Sequence, residues 1–166
     1  MDLLAEEGMP EMDEQYSAHY LSRIGMMEIL GTEKGIVSLS FIEETGHLLS
    51  DVHECLTPCI IQLDEYFRGK RKRFSVPLQI RGTDFERRVW RALVDIPYGE
   101  TRSYGEIAEK IGHRSAFRAV GNSNRKNRIP IVIPCHRVIG KNGALTGYAC
   151  GLWRKRWLLE HEKRYR

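Results

Sequence analysis

The sequence predicts two domains behind an acidic tail at residues 1–18: an α/β unit over residues 19–82, and a mainly α unit over residues 83–166 that holds a helix-turn-helix. Three observations predict this. Charge changes sign along the chain, with 8 Lys and Arg against 14 Asp and Glu in residues 1–82, and 18 against 8 in residues 83–166. Strand and hairpin signals cluster before Gly82, and two Ser/Thr-x-x-Glu capping boxes open helices after it. At 166 residues the chain buries roughly two-thirds of its unfolded surface, so it needs no disulfide or metal staple.

Taken in order, residues 1–14 hold six acidic side chains and no basic one, the composition of a mobile tail. Residues 22–30 and 35–42 read as two strands joined across Gly31-Thr-Glu-Lys-Gly35. Leu56, Cys59, Ile60, Leu63, Tyr66 and Phe67 recur at helical spacing and predict a helix over residues 55–67, ended by Gly69. Cys55 and Cys59 share one face of it near His53; two thiols at that spacing are more often core residues than metal ligands, and no set of zinc ligands emerges. The basic run at residues 70–73 reads as an exposed turn before a strand over residues 74–80.

Thr83-Asp-Phe-Glu86 is the first capping box, and its helix buries Phe85, Val89, Leu93 and Ile96 while Arg87, Arg88 and Arg91 face away. Ser103-Tyr-Gly-Glu106 is the second, opening a helix through Ile107, Ala108 and Ile111 to Gly112. Ser115 is placed to cap a further short helix over residues 116–123. Two short helices joined by such a turn make a helix-turn-helix, most often a plain packing unit. Here the second helix sets the small residues Ala116, Ala119 and Gly121 around Arg118, which allows close approach to a backbone and, with the basic balance, favours DNA. The closing helix, over residues 152–162, carries Trp153 and Trp157 at i,i+4, a spacing that predicts core packing.

The chemistry lies in Ile133-Pro-Cys-His-Arg-Val138. The apolar run Ile131-Val132-Ile133, between Pro130 and Pro134, reads as a buried strand whose end is fixed by a turn. A thiol held there beside an imidazole, Cys135 beside His136, is a candidate nucleophile. A buried cysteine that merely precedes a histidine is the competing reading. In an extended segment neighbouring side chains face opposite sides, so the histidine acts through a water unless the chain turns there. A carboxylate on the closing helix could orient the imidazole; Glu162, Glu160 and the neighbouring His161 stay open on spacing alone.

Gly82-Thr-Asp-Phe-Glu86, Val89-Trp90, Ile96-Pro-Tyr-Gly99, Ser103-Tyr104, Arg118-Ala-Val-Gly-Asn122, Asn127, the run from Pro130 to Val138, Gly143, Gly147-Tyr148 and Leu158-Leu-Glu-His-Glu162 stand in one order. Through them the chain resembles the O6-alkylguanine-DNA alkyltransferases, strongly over residues 82–163 and loosely before. The resemblance implies an RNase-H-like N-terminal domain and a winged-helix-like helix-turn-helix in the second. It implies stoichiometric, self-inactivating transfer of a methyl or other alkyl group from O6-alkylguanine in DNA to Cys135, with O4-alkylthymine a further candidate. Cys135 would be activated through water by His136 and Glu162, and Tyr104 would protonate or hydrogen-bond guanine N3. Arg118 would enter the duplex in place of the flipped nucleotide, with Ala119, Gly121, Arg125, Ser103 and Ser115 beside it on DNA. Asn127 would tie the recognition helix to the active-site segment. The carbonyls of Cys135 and Val138 would read the guanine amine, and Tyr148, Ala149 and Cys150 would line the pocket.

Two positions depart from the family pattern. Arg128 stands where proline is usual, and Cys150 stands where glycine is common, which would narrow the pocket or set a second thiol near the first. The expected partner is double-stranded DNA, met in the minor groove by a monomer, with no metal or organic cofactor required. Four irregularly spaced cysteines, no signal-like core and no membrane-length segment point to a reduced, cytoplasmic protein, nucleoid-associated in a prokaryote. A lesion-binding, alkyltransferase-like protein without chemistry is the alternative, and Cys135 argues against it. A thiol hydrolase would need an oxyanion hole and a signature that the residues around Cys135 do not carry.

Overall fold

The computed structural model describes residues 13–43 and 51–166. The chain divides into two compact units, Met1–Ile80 and Arg81–Arg166. Most of the acidic tail, residues 1–12, lies outside the described residues, and its last residues already belong to a strand that sequence patterning missed.

The first unit is an antiparallel meander of β1 (Tyr16–Ser22), β2 (Gly25–Thr32) and β3 (Gly35–Ile42). Two-residue turns pair Ser22 with Gly25 and Thr32 with Gly35. The predicted strand from residue 22 therefore breaks at its start. Ser22 Oγ accepts from the Ile24 amide at 3.2 Å and donates to the Gly25 carbonyl at 2.7 Å, a side chain competing with the ladder for backbone partners. Met27 and Ile29 alternate inward on β2 and join Ala18, Ile36 and Leu39 in a buried layer with Leu56, Cys59, Leu63 and Tyr66. Those last residues come from a 3₁₀ turn (Glu54–Leu56) and α1 (Thr57–Phe67). Cys59 is core, as expected, whereas Cys55 sits in the turn against His53 Nδ1 at 3.0 Å. The strand expected over residues 74–80 is only a single bridge, Leu78 to Ile36. Pro77 has no amide to extend a ladder and offers only its carbonyl, to the Ile36 amide at 2.9 Å.

The second unit is mainly helical. Both capping boxes form: Thr83 with Glu86 at the start of α2 (Asp84–Val94), and Ser103 with Glu106 at the start of α3 (Tyr104–Lys110). Just before α3, β4 (Arg102–Ser103) pairs in parallel with β5 (Val138–Ile139), which ties that helix start to the segment after Cys135. Helix α4 (Phe117–Arg125) is capped by Ala116 without a side-chain bond, not by Ser115, because the Ala116 amide is drawn into a turn with the His113 carbonyl at 2.8 Å. Helix α5 (Leu152–Arg164) buries Lys155, Leu158, His161 and Glu162. The expected core pair of tryptophans is not there. Trp153 is 56% exposed, with the Arg154 guanidinium 4.5 Å from its ring centroid, and Trp157 stacks on His161 instead, centroids 4.8 Å apart. Among the described residues no helix is long and apolar enough to cross a membrane.

Candidate active site

The apolar run before Cys135 is buried, but it is not a strand. Pro130 and Ile133 form only an isolated bridge, and Ile131 has φ +75°, the one non-glycine residue with positive φ among the described residues. A β-branched residue there is strained, so the surroundings must over-determine it. They do so through Asn127, whose Nδ2 donates to the Ile133 carbonyl at 2.8 Å and whose Oδ1 accepts from the Ile129 amide at 2.9 Å. The chain then turns in a 3₁₀ helix, Cys135–Arg137. Successive side chains there diverge by about 120°, so the opposite-faces argument from an extended backbone does not apply.

Cys135 is 4% exposed, and burial pushes its thiol up to about 12 against a hydrogen bond from the Asn127 side chain. The resting sulfur is therefore a thiol. His136 is fully buried, and its Nε2 lies 2.6 Å from Glu162 Oε1. Burial holds the imidazole below its ordinary value despite the carboxylate beside it. Burial alone would raise the Glu162 carboxyl, but His136 and Arg137 hold it well below the usual carboxylate range. An ionised Glu162 accepts from Nε2–H of a neutral imidazole and leaves Nδ1 as a lone-pair acceptor. That Nδ1 is buried and has no protein hydrogen-bond partner among the described residues. Glu162 is thus separated from Glu160, which is exposed, and from His161, which stacks on Trp157.

Three residues that sequence reasoning passed over complete the site. Arg137 forks onto Glu162, Nε at 2.9 Å and a second nitrogen at 3.0 Å, and donates to the Ile96 carbonyl at 2.7 Å. Lys155 donates from Nζ to the carbonyls of Val138 at 2.5 Å and Thr146 at 3.0 Å, and burial lowers it to about 8. Asn124 Nδ2 donates to the Cys135 carbonyl at 3.3 Å. The signal for Lys155 was present: Lys155, Leu158 and Glu162 share one stripe of α5, and a lysine on a buried stripe needs partners. The two carbonyls assigned to the guanine amine thus already accept bonds within the protein, that of Cys135 from Asn124 Nδ2 and the Val138 amide, and that of Val138 from Lys155 Nζ.

Around this core, Tyr104 donates to the Thr146 carbonyl at 2.9 Å, and its hydroxyl lies 3.9 Å from where a Cβ on Gly147 would stand. Burial raises the phenol. A Cβ on Gly121 would meet the Tyr104 ring at 3.7 Å, an ordinary packing distance, so this position of α4 lies against the ring. Tyr148 is buried, Cys150 is half-buried with its thiol raised by burial, and Ala149 is exposed. Cys150 acts electrostatically on the Cys135 thiol, which puts a second sulfur in the same neighbourhood. Of the other predicted DNA contacts, Ser115, Arg118 and Ala119 are exposed and Ser103 is engaged in its cap, while Arg125 is exposed yet brings its guanidinium to 3.7 Å from where a Cβ on Gly147 would stand, beside Tyr104. Arg128 is also exposed.

Comparison with known proteins gives the site its context. Residues 84–164 match the family model of the 6-O-methylguanine DNA methyltransferase DNA binding domain, and residues 16–80 match that of its ribonuclease-like domain. The methylated-DNA–protein-cysteine methyltransferase of Mycobacterium tuberculosis is 50% identical over 147 residues, covering 86% of this chain and 88% of that protein. The protein of the same name from Methanosarcina acetivorans is 46% identical over 152 residues, covering 89% and 97%. A crystal structure of Mycobacterium tuberculosis OGT in complex with DNA superimposes with a TM-score of 0.82 at 48% identity, over 90% of this chain and 93% of that one.

Proposed function

The chain belongs to the 6-O-methylguanine DNA methyltransferase family, and from that premise we propose that Cys135 takes the alkyl group of O6-alkylguanine in duplex DNA, once per molecule. The observation that carries the assignment is the buried sequence of groups Cys135, His136 and Glu162, with His136 Nδ1 left as an acceptor. The Cys135 proton passes through a water to Nδ1, and the imidazolium so formed is stabilised by the carboxylate at its other nitrogen. The thiolate attacks the alkyl carbon, the carbon–O6 bond breaks, and its electron pair moves onto the guanine. Tyr104 gives a proton to N3, so that the base leaves neutral. The product is a thioether, which water does not readily cleave, so the protein is consumed. Lys155, held at Val138 and Thr146, keeps a positive charge beside the developing anion and the Thr146 carbonyl that also holds Tyr104.

The lesion lies inside the stack, so its nucleotide must be extruded at a cost of a few kcal/mol. α3 and α4 act as a helix-turn-helix that enters the minor groove, with Ala119 and Gly121 allowing close approach. Arg118 fills the vacated stack, and Arg125 and Ser115 meet phosphates. Asn127 couples the end of α4 to the Cys135 segment, and Tyr148, Ala149 and Cys150 line the base pocket near O6. The protein acts as a monomer, in the cytoplasm or on the nucleoid. The test is peptide mass spectrometry after incubation with O6-methylguanine duplex, beside Cys135→Ser. One methyl on the Cys135 peptide and none in the variant is the expected result; DNA binding without added mass would make the protein a lesion binder.

A further inference from the structure

Helix α4 leaves a large aromatic side chain where nothing in the fold uses it. Phe117, its first residue, is 49% exposed, while Val120, Ser123 and Asn124 form the buried face. Scattered exposed apolar residues are ordinary. Two observations set Phe117 apart. The Arg118 guanidinium lies 5.8 Å from its ring centroid, so the two side chains are grouped on one surface. Residues four apart share a helix stripe, and one turn along from Phe117 is Gly121, the position that faces the Tyr104 ring at 3.7 Å. Phe117 therefore stands on the stripe that faces Tyr104, next to the arginine assigned to the vacated stack.

We propose that Phe117 is a stacking wedge: its ring packs against the base beside the extruded nucleotide, while Arg118 occupies the gap. The inference rests on the repair reading above and adds a positioning residue to it. A flat apolar ring suits the exposed face of an unstacked base, and aromatic stacking of this kind does not depend on base identity. It adds no ionic contact with phosphate, which gives it a signature that a charged neighbour lacks.

The experiment uses the full chain as wild type, Phe117→Ala, Phe117→Trp and Arg125→Ala. Each is tested on duplex carrying O6-methylguanine with 2-aminopurine as the adjacent base. Phe117→Ala should bind and unstack that base roughly 5- to 100-fold less well, with its thermal midpoint and the slope of binding against salt unchanged. Phe117→Trp should restore both, and Arg125→Ala should lower the salt slope by about one ion. A Phe117→Ala protein within about twofold of wild type on duplex would overturn the wedge, as would a salt slope lowered as far as in Arg125→Ala. A fall in thermal midpoint that accounts for the lost affinity, with no rescue by tryptophan, would make Phe117 merely structural. Wild-type protein that leaves the methyl group on DNA would sink the repair reading and the wedge together, whereas a competent wild type with an indifferent Phe117→Ala sinks the wedge alone.

Discussion

Glu162 accepts a hydrogen bond from His136, two from Arg137 and one from the Gly99 amide, so a single buried carboxylate both orients the imidazole and anchors the turn that bears it. Replacing it with glutamine removes the charge that raises His136 and would stabilise its protonated form. Glu162→Gln should slow single-turnover methyl transfer by about 10²-fold or more, and rapid-quench kinetics would show it. The acid limb of the pH profile belongs to His136, whose lowered value keeps it neutral and able to take a proton below the ordinary histidine range. Transfer should therefore persist in mildly acidic buffer, and in the glutamine variant the limb should move to still lower pH at a reduced plateau. Stability follows the same groups. The depressed Glu162 contributes stability that is fully present above its unfolded carboxylate value and is lost as pH falls through its native one. The depressed His136 adds to the loss, because only the unfolded chain takes up that proton as pH drops below the ordinary imidazole value. Calorimetry should accordingly show the thermal midpoint falling steadily on acidification.

Among the elements, the link between Asn127 and residues 129–133 holds the strained Ile131 in place. Asn127→Ala should cost about 1–3 kcal/mol in urea unfolding and slow transfer as well, since the Cys135 thiol also loses its hydrogen bond. Thr83→Ala, which opens a capping box at some remove, should cost about 1 kcal/mol and leave transfer untouched. Both capping boxes were legible in the sequence because each is a local exchange between residues three apart. Spacing alone narrowed the carboxylate on α5 only to neighbouring candidates, the family resemblance singled out Glu162, and the helix phase sets that residue 2.6 Å from His136 Nε2. β1 escaped notice because its pairing with β2 is what makes Tyr16–Ser22 a strand. The left-handed Ile131 and the 3₁₀ turn at Cys135 contradict the extended pattern of their own residues, and tertiary bonds enforce them. Arg137 was overlooked for a similar reason, since a cation after a histidine declares nothing until its acceptors are known, whereas Lys155 was readable from its place on the buried stripe of α5.

At the scale of the whole molecule, the two halves differ in charge as well as in architecture, and the basic half is the one that carries the reactive thiol. A methyl group added to the side chain of Cys135, a residue only 4% exposed, must find room among its neighbours. Such overpacking commonly costs about 1–3 kcal/mol, so methylated protein should melt below fresh protein in a direct calorimetric comparison. The resting state has its own consequence. A buried thiol pushed up to about 12 reacts poorly with stray electrophiles and oxidants. A protein that works once has a shelf life, set by how seldom it misfires while waiting. By keeping Cys135 protonated and buried until an alkyl carbon is brought to it, the fold lets the molecule wait intact for the rare encounter that it was made for.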